Sequence, residues 1–192
     1  MTDVVVVGAG QAAASCVAKL RKDGFEGGIA VIGDEPVPPY QRPPLSKAYL
    51  LGEMNLERLF LRPESFYADQ NVNLHLGTRV TAVDRQARTV ACDDRTVVAY
   101  DKLVLATGSR VRTLPEAIGG HMNKVFGVRT LADVDGMAPE FQPGRRVVIV
   151  GGGYIGLEAA AVASRLGVQV TLVEAAERIL QRVASQETSS PI

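Results

Sequence analysis

Two stretches of this chain repeat one pattern of apolar and polar positions. Val4 to Val7 is an unbroken apolar run, followed by a glycine-rich turn and by Ala13, Cys16, Val17 and Leu20 at helical spacing. Val147 to Val150 opens the second copy, again followed by a glycine-rich turn, with the small residues Ala159, Ala160 and Ala163 behind it. Short continuous apolar runs bounded by turn residues predict strands buried on both faces, and the 3.6-residue period predicts helices laid against them. The expected elements are strand 3–7, helix 11–23 and strand 29–33, then strand 146–150, helix 154–166 and strand 168–173. Lys19, Arg21 and Lys22 followed by Gly24 close the first helix, and Gly167 closes the second.

The pattern between the copies differs. Residues 34–46 hold Pro36, Pro38, Pro39, Pro43 and Pro44, which enforce a stiff extended path. Short helices are expected near Ser46 to Leu50 and near Pro63 to Gln70. From Val72 to Tyr100 apolar residues alternate with polar ones, which predicts short antiparallel strands with turns at Asp84 to Gln86 and at Asp93-Asp94. Leu103 to Ala106 reads as a buried strand ending at Thr107-Gly108. Residues 109–145 are rich in breakers (Pro115, Gly119-Gly120, Pro143-Gly144) and read as loop. The fold class is therefore α/β: a parallel sheet with a small antiparallel β element, followed by the start of a second strand–helix–strand unit.

The two turns carry the chemistry. They read Gly8-Ala9-Gly10-Gln11-Ala12-Ala13 and Gly151-Gly152-Gly153-Tyr154-Ile155-Gly156. In such a turn the first small residue makes the bend, the second lets backbone approach a pyrophosphate, and the third lets the helix lie close on the strand. The phosphates sit on unpaired N–H groups at the helix N-terminus. Tight packing alone also produces a glycine-rich strand–helix turn. Each copy here is completed by an acidic residue after the next strand, Asp34 at 21 positions beyond Ala13 and Glu174 at 18 beyond Gly156. That is close to the ~20 expected of a ribose ligand. Two complete units predict two bound dinucleotides.

Composition narrows the partners. In 192 residues the 21 basic and 21 acidic side chains cancel, which gives no electrostatic case for nucleic acid or a membrane surface. No apolar run approaches the ~20 residues of a membrane span. The start of the chain shows no secretory pattern, so a cytoplasmic protein is expected. Cys16 and Cys92 form neither a CxxC pair nor a metal-ligand pattern, and no metal site is expected.

Taken with Ala106-Thr107-Gly108 and Gln41-Arg42-Pro43-Pro44-Leu45-Ser46-Lys47, the fingerprints resemble those of FAD-dependent NADH:ferredoxin reductases. The Arg-Pro-Pro-Leu-Ser-Lys segment and Gly-Gly-Gly-Tyr-Ile-Gly-Leu-Glu are its most specific parts, and the resemblance covers residues 3–183. It implies a Rossmann-like FAD-binding domain over 1–112 and an incomplete Rossmann-like NAD-binding domain over 113–183, while the polar composition of 184–192 reads as a disordered tail. It assigns Gly8, Gly10 and Ala13 to FAD, with Asp34 and Glu35 at its adenosine ribose or, alternatively, in a solvated loop. Val80 matches a position at the adenine, and Ala106, Thr107 and Gly108 match the turn beside the FAD pyrophosphate. Lys47 resembles the lysine close to the flavin ring, the alternative being a water-exposed neighbour of a helix cap. Arg42 reads as a phosphate contact or a surface ion pair, and Arg129 as an FAD contact or a surface charge. Gly151, Gly153, Tyr154, Ile155, Gly156 and Glu174 are assigned to NADH. Glu158 resembles the carboxylate beside the nicotinamide amide, the alternative being helix-dipole complementarity. Lys47 and Glu158 are the expected catalytic pair.

The implied activity is electron transfer from NADH through flavin to a ferredoxin- or rubredoxin-type iron–sulfur protein. Members of this family are about twice as long and carry a late Gly-Asp flavin motif that has no counterpart here. The competing reading is thus a truncated, non-catalytic dinucleotide-binding remnant or an interaction protein.

Overall fold

A computed structural model describes residues 3–189, which divide into two compact units, 3–41 with 57–109, and 42–56 with 110–189. Segment 42–56, which sequence reading places within the first domain, belongs to the second unit.

The first unit is built on β1 (Val4–Val7), α1 (Gln11–Lys22) and β2 (Ile29–Gly33). Every residue of β1 and β2 is buried, which is why both read as continuous apolar runs. The chain continues through α2 (Leu56–Leu59), α3 (Glu64–Asp69), β3 (Val72–Leu76), β4 (Val80–Asp84), β5 (Thr89–Cys92), β6 (Val97–Ala99) and β7 (Lys102–Leu105). Strands β3-β2-β1-β7 form a four-stranded parallel sheet, and β4-β5-β6 form an antiparallel one. The strand expected to be buried over Leu103 to Ala106 is instead β7, the sheet's edge, where Leu105 is exposed. Alternation along β1 and β2 sends side chains to two different covers. Val4, Val6, Ile29 and Val31 pack with Ala13 and Val17 of α1 and Tyr67 of α3. Val5, Val7, Ala30 and Ile32 pack with Val90 and Cys92 of β5.

The expectation of antiparallel pairing from Val72 onward is corrected here. Val72–Leu76 pairs in parallel with β2, Ile29 opposite Val72 and Gly33 opposite Leu76, as the edge of the main sheet. Alternation reports a half-buried strand, and an edge strand is half-buried whichever way it runs.

Both major helices end alike. Gly24 and Gly167 take positive φ (84° and 77°), and Phe25 and Val168 donate backward to the Leu20 and Ala163 carbonyls. Only a residue free of a Cβ enters this left-handed cap without cost.

In the second unit, α4 (Leu131–Met137) precedes β8 (Arg146–Val150), α5 (Tyr154–Arg165) and β9 (Gln169–Val173). β8 and β9 pair in parallel, and α5 buries Ala159, Val162 and Ala163. The expectation of burial on both faces at Val147–Val150 is corrected here: Val148 and Val150 are exposed, because among the described residues α5 covers one face of this two-stranded pairing and nothing covers the other. α4 lies in the stretch read as loop. It is started by a reciprocal cap: Asp133 N–H donates to Thr130 Oγ (3.2 Å) and Thr130 N–H to the Asp133 carboxylate (2.7 Å). The last described residues make a helical turn, α6 (Gln186–Ser189), where the tail was expected to be disordered, and 190–192 lie outside the described residues. No helix among the described residues is long and apolar enough to cross a membrane.

A helix of seven residues depends heavily on its cap. Thr130→Ala is expected to destabilise the second unit by about 1 kcal/mol. Urea unfolding followed by helical circular dichroism checks this, and an unchanged midpoint would show that the cap contributes nothing.

Candidate functional site

The first glycine turn lies where the connectivity of the parallel sheet reverses, between β1 and β7, which in open α/β sheets is where ligands bind. Gly8 has φ +109°, and a Cβ there would stand 2.2 Å from the Ala106 carbonyl oxygen. Its glycine is therefore demanded by the fold itself. Gly10 is different. Its backbone is extended (φ −100°, ψ −166°), within reach of any residue, and a Cβ there would meet nothing within 4 Å. Neither conformation nor packing requires glycine at this position. No side chain caps α1, and its first turn holds no acidic residue, so its leading N–H groups face that open space. Ala13 is fully buried against the sheet, as the third small residue of the fingerprint should be.

Around this turn stand the other expected residues of the unit. Asp34 follows β2 and is half exposed, its carboxylate 3.1 Å from the Arg79 guanidinium. Glu35 accepts the Tyr40 hydroxyl at 2.5 Å. Val80 opens β4 and packs against the β5-side core. Ala106, Thr107 and Gly108 (φ +69°) pass beside Gly8.

The second turn reproduces the logic with its own parts. Gly151 has φ +112°, and a Cβ at Gly156 would stand 2.0 Å from the Gly151 carbonyl oxygen, so helix and turn touch. Gly153, like Gly10, is extended with nothing within 4 Å of its Cβ position and begins an uncapped helix. Tyr154 and Ile155 are largely exposed beside it. Glu174 reaches back into the turn: Gly152 N–H donates to its Oε2 (2.6 Å) and Ala176 N–H to its Oε1 (2.8 Å). These backbone donors, Ala176 and then Gly152, hold its carboxyl below the usual range. Arg178, also close in sequence, is committed elsewhere, donating to the Ala184 (2.9 Å), Ser185 (3.2 Å) and Gln181 (3.3 Å) carbonyls and to the Ser189 hydroxyl.

Lys47 and Glu158 meet in the second unit. Lys47 sits at a kink within the short segment Leu45–Tyr49, its own backbone non-helical (φ −127°, ψ −112°), and its ammonium lies 2.9 Å from Glu158 Oε1. The buried Ser46 hydroxyl donates to Glu158 Oε2 at 2.7 Å. Burial pushes the Glu158 carboxyl up, but the bonds from Lys47 and Ser46 and the Lys47 charge together outweigh it and leave it below the usual range. Glu158 stands in the second turn of α5 with this cross-element partner, so dipole complementarity alone does not describe it. Arg42 donates to the Arg129 carbonyl at 2.7 Å, and Arg129 N–H to Asp133 at 3.0 Å.

Sequence reading did not single out Arg79 or Ser46. The signal for Arg79 was faint, a lone basic residue before a strand. Ser46 sat inside the quoted Leu45-Ser46-Lys47 run without a role of its own.

The family model for pyridine nucleotide-disulphide oxidoreductases matches residues 2–192. A ferredoxin–NAD(P)(+) reductase of a Sphingomonas species is 48% identical over 97% of this chain and 45% of its own length. Putidaredoxin reductase of Pseudomonas putida is 44% identical over 98% of this chain and 45% of its own. Among solved structures, the covalent putidaredoxin reductase–putidaredoxin complex aligns with a TM-score of 0.92 at 44% identity, over 97% of this chain and 45% of that one. The chain thus spans about 45% of the length of these relatives.

The two kinds of glycine make separable predictions. Gly8→Ala is expected to cost about 3 kcal/mol or more, from positive φ and the clash with Ala106. Gly10→Val is expected to cost no more than about 1 kcal/mol while abolishing flavin retention. Thermal melts and flavin content of the full chain carrying these residues check both, and a flavin-replete Gly10→Val variant would refute the assignment.

Proposed function

Because the chain belongs to the pyridine nucleotide-disulphide oxidoreductase family, we propose that it acts in FAD-dependent electron transfer from NADH to a ferredoxin- or rubredoxin-type iron–sulfur protein. One observation carries the reading. Gly10 and Gly153 are glycines that neither the backbone nor the packing needs, each at the open N-terminus of an uncapped helix. A dinucleotide pyrophosphate fits such a place, because it supplies the negative oxygens that the unpaired N–H groups lack.

The first cradle is assigned to FAD. Gly8 and Ala13 set the turn close to the sheet, Gly10 leaves room for the pyrophosphate, and Thr107 and Gly108 form the wall beside it. Asp34 accepts from the adenosine ribose, with Arg79 across from it and Glu35 and Val80 nearby. The second cradle is assigned to NADH through Gly151, Gly153, Gly156 and Glu174, with Tyr154 and Ile155 at its rim. Glu158 accepts from the nicotinamide carboxamide, and Lys47 stands paired beside it. Arg42 and Arg129 support the segment that carries Lys47. FAD, when bound, supplies the exchange between the two-electron donor and one-electron iron–sulfur acceptors.

Cys16 and Cys92 are both free, and Cys92 is buried with its thiol pushed up by burial. Neither belongs to a CxxC pair, which favours direct delivery to an external acceptor over reduction of a disulfide. Free thiols also suit a reducing compartment, and a cytoplasmic location is part of the proposal.

The coenzyme preference is testable. Glu174 stays ionised across the working pH range and disfavours a 2′-phosphate, while Arg178 is engaged with the 181–189 segment and does not offset it. NADH is expected to outperform NADPH by roughly tenfold or more in kcat/KM, and Glu174→Ala to shrink that ratio. Steady-state ferredoxin reduction by the FAD-loaded full chain checks this, and equal efficiencies would refute it.

A further inference from the structure

We propose that Ser46 is a positioning residue for nicotinamide recognition, fixing the Glu158 carboxylate so that it faces the carboxamide while remaining paired with Lys47. The proposal rests on the assignment of Glu158 to the nicotinamide made above.

The Lys47–Glu158 ion pair cannot fix this geometry alone. The Lys47 side chain is 49% exposed and that of Glu158 30%, and ion pairs at such exposure are screened and lose side-chain entropy on forming. Ser46 differs in both respects. It is 4% exposed, and its hydroxyl hangs from one torsion. Its donation to Oε2 at 2.7 Å locks the carboxylate plane, so that Oε1 is the oxygen left to Lys47. One donor on each oxygen leaves further lone pairs for an amide N–H.

The backbone that presents Ser46 is itself held. Pro43 and Pro44 fix φ at the entry, and the Lys47 and Tyr49 amides both donate to the Pro44 carbonyl at 3.0 Å. Tyr49 hydroxyl donates to Asp135 at 2.8 Å, and Arg42 to the Arg129 carbonyl. The turn is thereby tied to α4 and to the loop before it. Among the described residues Lys47 is the charged side chain in contact with Glu158. Tyr49 of the same turn is engaged with Asp135, Arg165 of α5 with Glu53, Arg146 of β8 is exposed at the start of its strand, and β9 holds no titratable residue.

The test uses NAD+ and ADP-ribose, which share every part except the nicotinamide, in calorimetric titrations of the full chain that carries these residues. Ser46→Ala is expected to weaken NAD+ about tenfold and ADP-ribose less than about twofold. Loss of one Glu158 donor also moves the acid limb of the NAD+ affinity profile to higher pH, since protonation then competes earlier. Ser46→Cys keeps the shape with a weaker donor. It is expected to show the same selective loss, which guards against an alanine variant that fails to fold. Unchanged NAD+ affinity, or equal loss of both ligands, overturns the proposal. Glu158→Gln separates the two levels: equal effects on both ligands refute Glu158 as a nicotinamide contact, whereas a nicotinamide-selective effect with a silent Ser46→Ala refutes Ser46 alone.

Discussion

A parallel strand that delivers the chain into a helix within three residues has few backbone paths open to it, and each unit here is organised around that constraint. At Gly8 the path requires positive φ and brings the turn against the Ala106 carbonyl, where a methyl group would stand 2.2 Å from oxygen. At Gly151 it again requires positive φ, and Gly156 packs against the carbonyl that results. Once the turn is so tight, the helix starts without a capping side chain and its first N–H groups point outward together. The connection thereby leaves each helix N-terminus open, and Gly10 and Gly153 place no side chain over it.

Electrostatics then divides between the backbone and the side chains. Glu174 is satisfied by backbone N–H groups, whereas Glu158 is satisfied by Ser46 and Lys47. Both carboxyls are held low, but for different reasons. Backbone donors move only with the loop, so Glu174 is as fixed as the turn it serves. Side-chain donors depend on the placement of segment 42–56, which the proline pair stiffens.

Much of this was legible in the sequence because strict periodicity leaves a strong trace. The apolar runs Val4–Val7 and Val147–Val150, the two glycine turns and the α/β class all follow from apolar patterning and turn chemistry, although burial on both faces holds for Val4–Val7 alone, since alternate residues of Val147–Val150 are exposed. The direction of Val72–Leu76 did not, because alternation encodes exposure and says nothing of the partner strand. Helix α4 was hidden by length: seven residues give less than two helical turns of pattern, although Thr130 and Asp133 carried its cap in plain view. The placement of 42–56 and the partners Arg79 and Ser46 depend on contacts between residues 45 and 112 positions apart, which no local pattern carries.

The hydrogen bond from Gly152 to Glu174 has an evolutionary consequence. One carboxylate both shapes the glycine turn and faces the site assigned to the coenzyme ribose, so drift at position 174 moves two traits together. A lineage turning toward a phosphorylated coenzyme by replacing Glu174 would also release the Gly152 amide and slacken the loop. It would pass through a form worse at holding either coenzyme, unless a new acceptor for that amide arose first. On the proposed assignment, coenzyme choice is tied to the shape of the turn, and its reversal involves both position 174 and a new acceptor for the Gly152 amide.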